Sequence, residues 1–310
     1  MEMKSLALGE RRKRGNSSEK GFAILSYVAM TALALICFFP CLHLVSKSIS
    51  SGKQILSGQV LFWPKEIQFK TMRYILTSTD FLACLKNTII VTVGGTFISM
   101  FTTITTAYSL SKPKLRGRKF FTMLYVFSMV FFGGIVPAYM VVNTLGLLDT
   151  YWALILPFAI VQFNMFVVKS YFESLPESIE EAAYMDGATD TQTLFRIVLP
   201  MSTPILATAS LLYAINYWNN YFHAMMYTNS PNMRTLQVYL YDIINNGQAI
   251  MENLYGSAFG SSVGVVSQTD MTADGMVAAA VTLSIIPIIM VYPFVQRHMI
   301  KGITIGSVKG

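Results

Sequence analysis

Six stretches of this 310-residue chain hold no Asp, Glu, Lys or Arg: 21–45, 88–110, 120–142, 151–168, 205–222 and 276–295. Each has 18 to 25 residues, and crossing the hydrocarbon core of a bilayer as a helix takes about 17–25 apolar residues. Charged residues make up 13% of the chain, against about a quarter in a soluble domain. Disordered, collagen-like, disulfide-scaffold and soluble two-domain readings are thereby excluded. Lipid obliges every backbone polar group to find a partner within the protein, so the spans are helices. The expected fold is an all-α membrane protein with six transmembrane helices.

The net charge of +7 is distributed as a membrane protein distributes it, and not as a nucleic-acid groove. Arg11, Arg12, Lys13 and Arg14 precede the first span, and Lys112, Lys114, Arg116, Arg118 and Lys119 separate the second from the third. With the N-terminus inside, 16 Lys and Arg face the cytoplasm and 7 face outward. Both termini are therefore expected to be cytoplasmic. Six of the outward charges crowd into residues 47–86, more than the rule favours. The first apolar run is too long for a signal-peptide core and has no small-residue cleavage site after it. Cys37, Cys41 and Cys84 lack metal-ligand spacing and read as small buried apolar residues.

The expected organisation is a cytoplasmic tail over 1–20, a six-helix transmembrane bundle over 21–296 and a cytoplasmic tail over 297–310. Pro40 should kink the first span, and Phe69–Leu76 is an amphipathic stretch suited to the interface. Gly94-Gly95 and Gly133-Gly134 read as close-packing sites between helices, with Pro137 bending the third span just beyond. Gln162 and Asn164 are candidates for interhelical hydrogen bonds. The outer segment 223–275 is rich in Gly, Ser, Asn and Thr from Asn245 onward, which suits an adaptable partner-facing loop.

The most specific signal lies in 169–204, between the fourth and fifth spans. Pro176 suits a helix start, and Glu177, Glu180 and Glu181 favour its early turns. Gly187 can stop that helix in a left-handed conformation. Thr189 with Gln192 forms a capping box for a second helix, which Pro200 should end. The result is a protruding helix-turn-helix, with Ala182 and Ala183 permitting close approach and Glu181 free to meet an arginine. Its six carboxylates against Lys169 and Arg196 suit a protein-facing surface better than anionic lipid.

Glu181-Ala182-Ala183, Gly187, Ile197 and Leu199-Pro200 resemble, at every spacing, the EAA loop of permease subunits of ATP-binding-cassette (ABC) importers, and Asp186-Gly187-Ala188 in the same turn is similar to their carbohydrate-uptake branch. Trp63-Pro64-Lys65-Glu66, Asn87-Thr88, Ala107-Tyr108-Ser109-Leu110-Ser111, Trp218-Asn219 and the tail from Lys301 are similar to the carbohydrate-uptake branch. The tail is similar to that of the second permease subunit of maltose-type importers. The resemblance implies that the EAA loop couples to a separate ATPase and that Thr304, Gly306 and Lys309 reach the ATPase interface. It further implies a second homologous permease, two ATPase subunits binding ATP and Mg, an extracytoplasmic solute-binding protein, an oligosaccharide substrate, and a bacterial cytoplasmic membrane with its lipid. The long outer segment resembles the subgroup that handles complex oligosaccharides.

No phosphate-binding Gly-x-x-x-x-Gly-Lys-Ser/Thr occurs, so ATP energy must enter through another chain. No cofactor, metal or nucleic acid is expected on this one, and no acid, base or nucleophile constellation suggests catalysis. His43 reads as a satisfied packing residue. Tyr213, Asn216, Trp218, Asn219 and Asn220 are candidates for the pore or substrate, because sugars are bound by aromatic faces and amides. Trp and Tyr there also fit an ordinary aromatic belt. The alternatives are an ABC permease for a peptide or glycerol phosphate, and an ion-coupled transporter. The second is disfavoured because such proteins place ionisable residues in the membrane.

Overall fold

The computed structural model describes residues 17–258 and 271–306. Three helices are long and apolar enough to cross a membrane unbroken, and three bent pairs bring the possible spans to six. The first span is α1 (Ser17–Ser48), which runs through Pro40, and α2 (Gly52–Leu56) and α3 (Lys70–Ser78) follow it. The amphipathic stretch at 69–76 thus becomes α3, whose Ile75 is fully buried. The second span is α4 (Phe81–Ser111).

The third span is broken into α5 (Arg118–Val130) and α6 (Ile135–Thr144), bent by 117°. This corrects the reading of Gly133-Gly134 as a packing site. Gly134 has φ +96°, which a residue with a Cβ rarely adopts, and nothing lies within 4 Å of a Cβ placed on Gly133. Pro137 falls in the first turn of α6, where its missing N–H leaves no bond unmade, so the bend sits before it.

The fourth span is α7 (Tyr151–Ile155) with a 3-10 turn at Leu156–Phe158, then α8 (Gln162–Glu173), bent by 49°. Next come α9 (Glu177–Met185), α10 (Asp190–Thr193), a π-helical turn at Leu194–Val198 and α11 (Leu199–Met201). The second helix runs one residue past Pro200, to Met201. A proline ring clashes with the carbonyl four residues back, and the wider π turn before it relieves that crowding. The chain then turns by 86° at Ser202 into α12 (Thr203–Trp218).

Beyond α13 (Phe222–Tyr227) the chain forms α14 (Leu236–Ala258), and then α15 (Ala273–Gly306) runs through Pro287 and Pro293. The loop expected from Asn245 is therefore helical as far as Ala258. Leu236, Tyr239, Ile243 and Met251 are buried at helical spacing, and Gly247 lies against Ala273. Residues 259–270 lie outside the described residues. Of the cysteines only Cys84 is buried; Cys37 and Cys41 are exposed on α1, whose apolar surface faces outward.

The core is built around α4, which lies against α8 and α12. Gly95 is where the close approach occurs: a Cβ there would stand 2.7 Å from the Tyr217 ring. Breaking the fourth span frees backbone groups that lipid cannot satisfy. Hydroxyls from α4 and α12 satisfy them instead. Tyr217 donates to Ile155 O at 3.1 Å and Thr102 to Ala159 O at 2.7 Å. The Val161 amide donates to the Tyr213 hydroxyl at 3.0 Å. Ser99 and Thr103 are hydrogen-bonded in turn to Tyr217 and Tyr213, at 2.8 and 2.6 Å.

Candidate functional site

The helix-turn-helix at 175–201 is built by local chemistry. Pro176 is the N-cap of α9, and Glu177 and Glu180 lie in its first turn. Gly187 takes φ +79°, and the amides of Gly187 and Ala188 donate to Tyr184 O and Ala183 O, both at 3.0 Å. That pair of bonds is a Schellman stop. Thr189 and Gln192 then form the capping box of α10, with the Thr189 amide donating to Gln192 Oε1 at 2.9 Å.

The two faces of α9 differ. Ala183 is buried and Ile179 and Glu180 are half-buried, whereas Ser178, Glu181, Ala182 and Met185 are exposed, Met185 to 87%. Glu180 forms an ion pair with Lys112, whose ammonium also stands 4.2 Å from the centre of the Tyr108 ring. Glu173 pairs with Arg118 and with Lys169, the latter at 2.7 Å. Tyr184 donates to Asp190 at 2.8 Å; burial, then that hydrogen bond, push its phenol pKa upward. Asp186 and Gly187 are exposed at the turn. Leu194 and Val198 are buried in a cluster with Tyr108, Val168 and Phe172, and Leu199 packs against it. Ile197 is half-buried and Pro200 exposed. Glu181 and Ala182 thus point away from the bundle while the second helix is rooted in it.

At the opposite end, Asn87 binds three groups. Its amide donates to Asn232 O and Arg234 O at 2.8 and 2.9 Å, and its carbonyl accepts from Tyr151 at 2.8 Å. Thr88 accepts from the Leu236 amide at 2.8 Å. Asp149, at φ +56°, accepts from the amides of Asn229 and Ser230 at 2.6 and 2.8 Å, which hold its carboxyl below the usual carboxylate range. Glu66 is lowered likewise by hydrogen bonds from Ser51 and Gln54. Sequence reasoning missed Asp149 altogether, since a single Asp in a short turn carries no distinguishing pattern. His43 Nδ1 lies 2.5 Å from Leu61 O, so its ring is partnered.

The candidate pore residues divide between an exposed strip and the packed interior. Asn216 and Asn219 are exposed on α12, and Trp218 packs against the cluster formed by α3, α4, α14 and α15. Asn220 lies 3.1 Å from His223 Nδ1. Tyr213 is fully buried in the hydroxyl network described above. Gln162 donates to Ser128 across α8 and α5, at 3.3 Å. The helix α15 carries Thr304 and Gly306, whereas Lys309 lies outside the described residues.

An all-helical, apolar bundle with broken spans and a protruding acidic elbow defines a membrane permease fold. The chain belongs to the family of binding-protein-dependent transport system inner membrane components, whose model matches residues 95–305. It is 39% identical over 289 residues to the polygalacturonan/rhamnogalacturonan transport system permease of Bacillus subtilis, covering 93% of this chain and 98% of that one. It is 27% identical to the trehalose/maltose transport system permease of Thermococcus litoralis, over 93% and 97% of the two chains. A crystal structure of a bacterial ABC transporter that imports the acidic polysaccharide alginate contains a chain superposing with TM-score 0.83 at 36% identity, covering 91% of this chain and 98% of that one.

Proposed function

We propose that this chain forms half of the membrane pathway of an ABC importer for oligosaccharides, and specifically for acidic, uronate-containing ones. A second homologous permease forms the other half. Two ATPase subunits bind Mg-ATP and dock at the cytoplasmic face, and an extracytoplasmic binding protein delivers the sugar. Both termini and the 169–204 elbow are cytoplasmic, in the cytoplasmic membrane of a bacterium. The observation that carries the coupling role is the outward face of α9, where Glu181, Ala182 and Met185 are exposed on a helix fixed at its back. The α15 extension through Thr304 and Gly306, with Lys309 beyond it, serves the same interface. Asn216 and Asn219 offer amides to sugar hydroxyls, with Trp218 and Asn220 beside them, while Tyr213 shapes the pathway from behind by bracing α12.

The acidic substrate class rests on the relatives' substrates and on the segment 47–86, where six Lys and Arg outnumber Glu66 and Asp80. Lys53, Arg73 and Lys86 are exposed there, contrary to the usual charge bias of outer segments. Such charge raises the local concentration of an anionic ligand and is screened by salt. The test is ATP-driven uptake into proteoliposomes holding both permeases and the ATPases, with binding protein outside. Oligogalacturonides should be taken up in preference to neutral malto-oligosaccharides, and uptake should fail without the ATPase. Preferential import of a neutral sugar overturns the acidic assignment. Uptake driven by a proton or sodium gradient without ATP overturns the whole reading.

A further inference from the structure

The elbow is joined to the bundle through short turns at its two ends. Residues 174–176 lead into α9, and Gly187 with its positive φ leads out of it. Because α9 joins the chain of the bundle only at its ends, a force applied to its outer face passes to α4 through side-chain contacts. The buried Ala183 face resists being pushed inward, but an apolar contact offers little resistance to being pulled away. Among the described residues, the charged tie between α9 and a spanning helix is Glu180 with Lys112, the C-cap residue of α4. Both side chains are about three-quarters shielded, at 25% and 19% exposure, and the Tyr108 ring lies against the ammonium. Shielding keeps the pair from being screened as a surface pair is. On the far side of this tie, α4 carries Thr102, bonded to the broken fourth span, and Ser99 and Thr103, bonded to the two tyrosines of α12.

We infer that the Glu180–Lys112 pair is the strut that makes α4 follow α9, so these are positioning residues for coupling, distinct from the docking residue Glu181 one position along. This rests on the proposed function. If the strut is cut, ATPase docking survives, because the outward face is untouched, but hydrolysis is no longer converted into span movement. The assembled transporter in proteoliposomes is compared as wild type, Glu180→Lys, Lys112→Glu and the double charge swap, measuring oligogalacturonide imported per ATP hydrolysed together with ATPase co-purification. Each single reversal should retain the ATPase and lower the import ratio by at least about fivefold, at the low end of allosteric couplings. The double swap should restore it to within about twofold, because paired residues give non-additive cycles. Singles that stay within twofold of wild type overturn the strut, and so does a swap no better than the worse single. Should the reversals fail to insert, Glu180→Gln takes their place and an unchanged ratio is decisive against the strut. A second readout needs no transport. Spin labels at Met185→Cys and Lys114→Cys, in a background lacking Cys37, Cys41 and Cys84, should show one narrow distance that Glu180→Gln broadens. An unbroadened distance refutes the strut even if wild-type import is never seen, an outcome that would count against the proposed function instead.

Discussion

Replacing Gly95 with alanine tests the packing of α4 against α12 by sign as well as size. On an open helix face the change stabilises, since glycine costs about 0.8–1 kcal/mol relative to alanine in a helix interior. Here the new methyl would lie 2.7–2.8 Å from three atoms of the Tyr217 ring. That ring is 4% exposed, so it has no open space to move into, and overpacking of this kind costs about 1–3 kcal/mol. Displacing the ring also strains the Tyr217 hydroxyl's bonds to Ser99 at 2.8 Å and Ile155 O at 3.1 Å. Hydrogen bonds within membranes average about 0.6 kcal/mol each. Setting the helix gain against these losses leaves a net destabilisation of about 1–3 kcal/mol, read as a lowered unfolding midpoint in detergent. Tyr217→Leu should reverse the sign and make Gly95→Ala neutral or stabilising. A Gly95→Ala protein at least as stable as wild type, with Tyr217 intact, would refute the reasoning.

Three further outcomes are expected. Asn87→Ala leaves two backbone carbonyls and the Tyr151 hydroxyl unpaired, so limited proteolysis across 229–235 should accelerate; an unchanged cleavage rate would show that Asn87 does not hold that segment. The folded pKa of Asp149 is depressed, so its contribution is complete above the ordinary carboxyl value near 4 and lost as pH falls through the lower folded value. Protection of the Asn229 and Ser230 amides should therefore fall below about pH 4, and Asp149→Asn should abolish that pH dependence; protection that stays flat in wild type contradicts the assignment. Gly187→Val forces a β-branched residue to φ +79°, costing at least about 1–2 kcal/mol locally. It should loosen α9 from α10, seen as faster amide exchange at Gly187 and Ala188, and equal exchange would show that the turn is not strained.

Much of the architecture was legible because lipid leaves the chain few options. The apolar runs marked the spans, and the capping box at Thr189, the left-handed Gly187 and the close approach at Gly95 were each read from residue type. What escaped depended on partners distant in sequence. The breaks in the third and fourth spans are invisible to hydropathy, since 131–134 and 156–161 are as apolar as their flanks; the hydroxyls that make the second break tolerable come from α4 and α12. The helix α14 was hidden by composition, because the exposed Asn245 and Asn246 and the buried Gly247 masked the stripe of Leu236, Tyr239, Ile243 and Met251. Pro200 marked the end of the second helix to within one residue, but the π turn before it is not announced by sequence. In the elbow, the sequence pointed to Glu181 but could not separate it from Glu180. Only the fold shows one facing outward and the other tied to Lys112.

The most direct measurement is cross-linking from the outer face of α9 in the assembled transporter. With Cys37, Cys41 and Cys84 removed and Glu181→Cys or Met185→Cys introduced, a short bifunctional reagent should join this chain to the ATPase in high yield. Cysteines placed at the buried Ala183 should not be joined, and the yield should change between nucleotide-free and ATP-bound states. Absence of cross-links from 181 and 185 in a complex that transports, with the ATPase captured from another surface of this chain, would contradict the account.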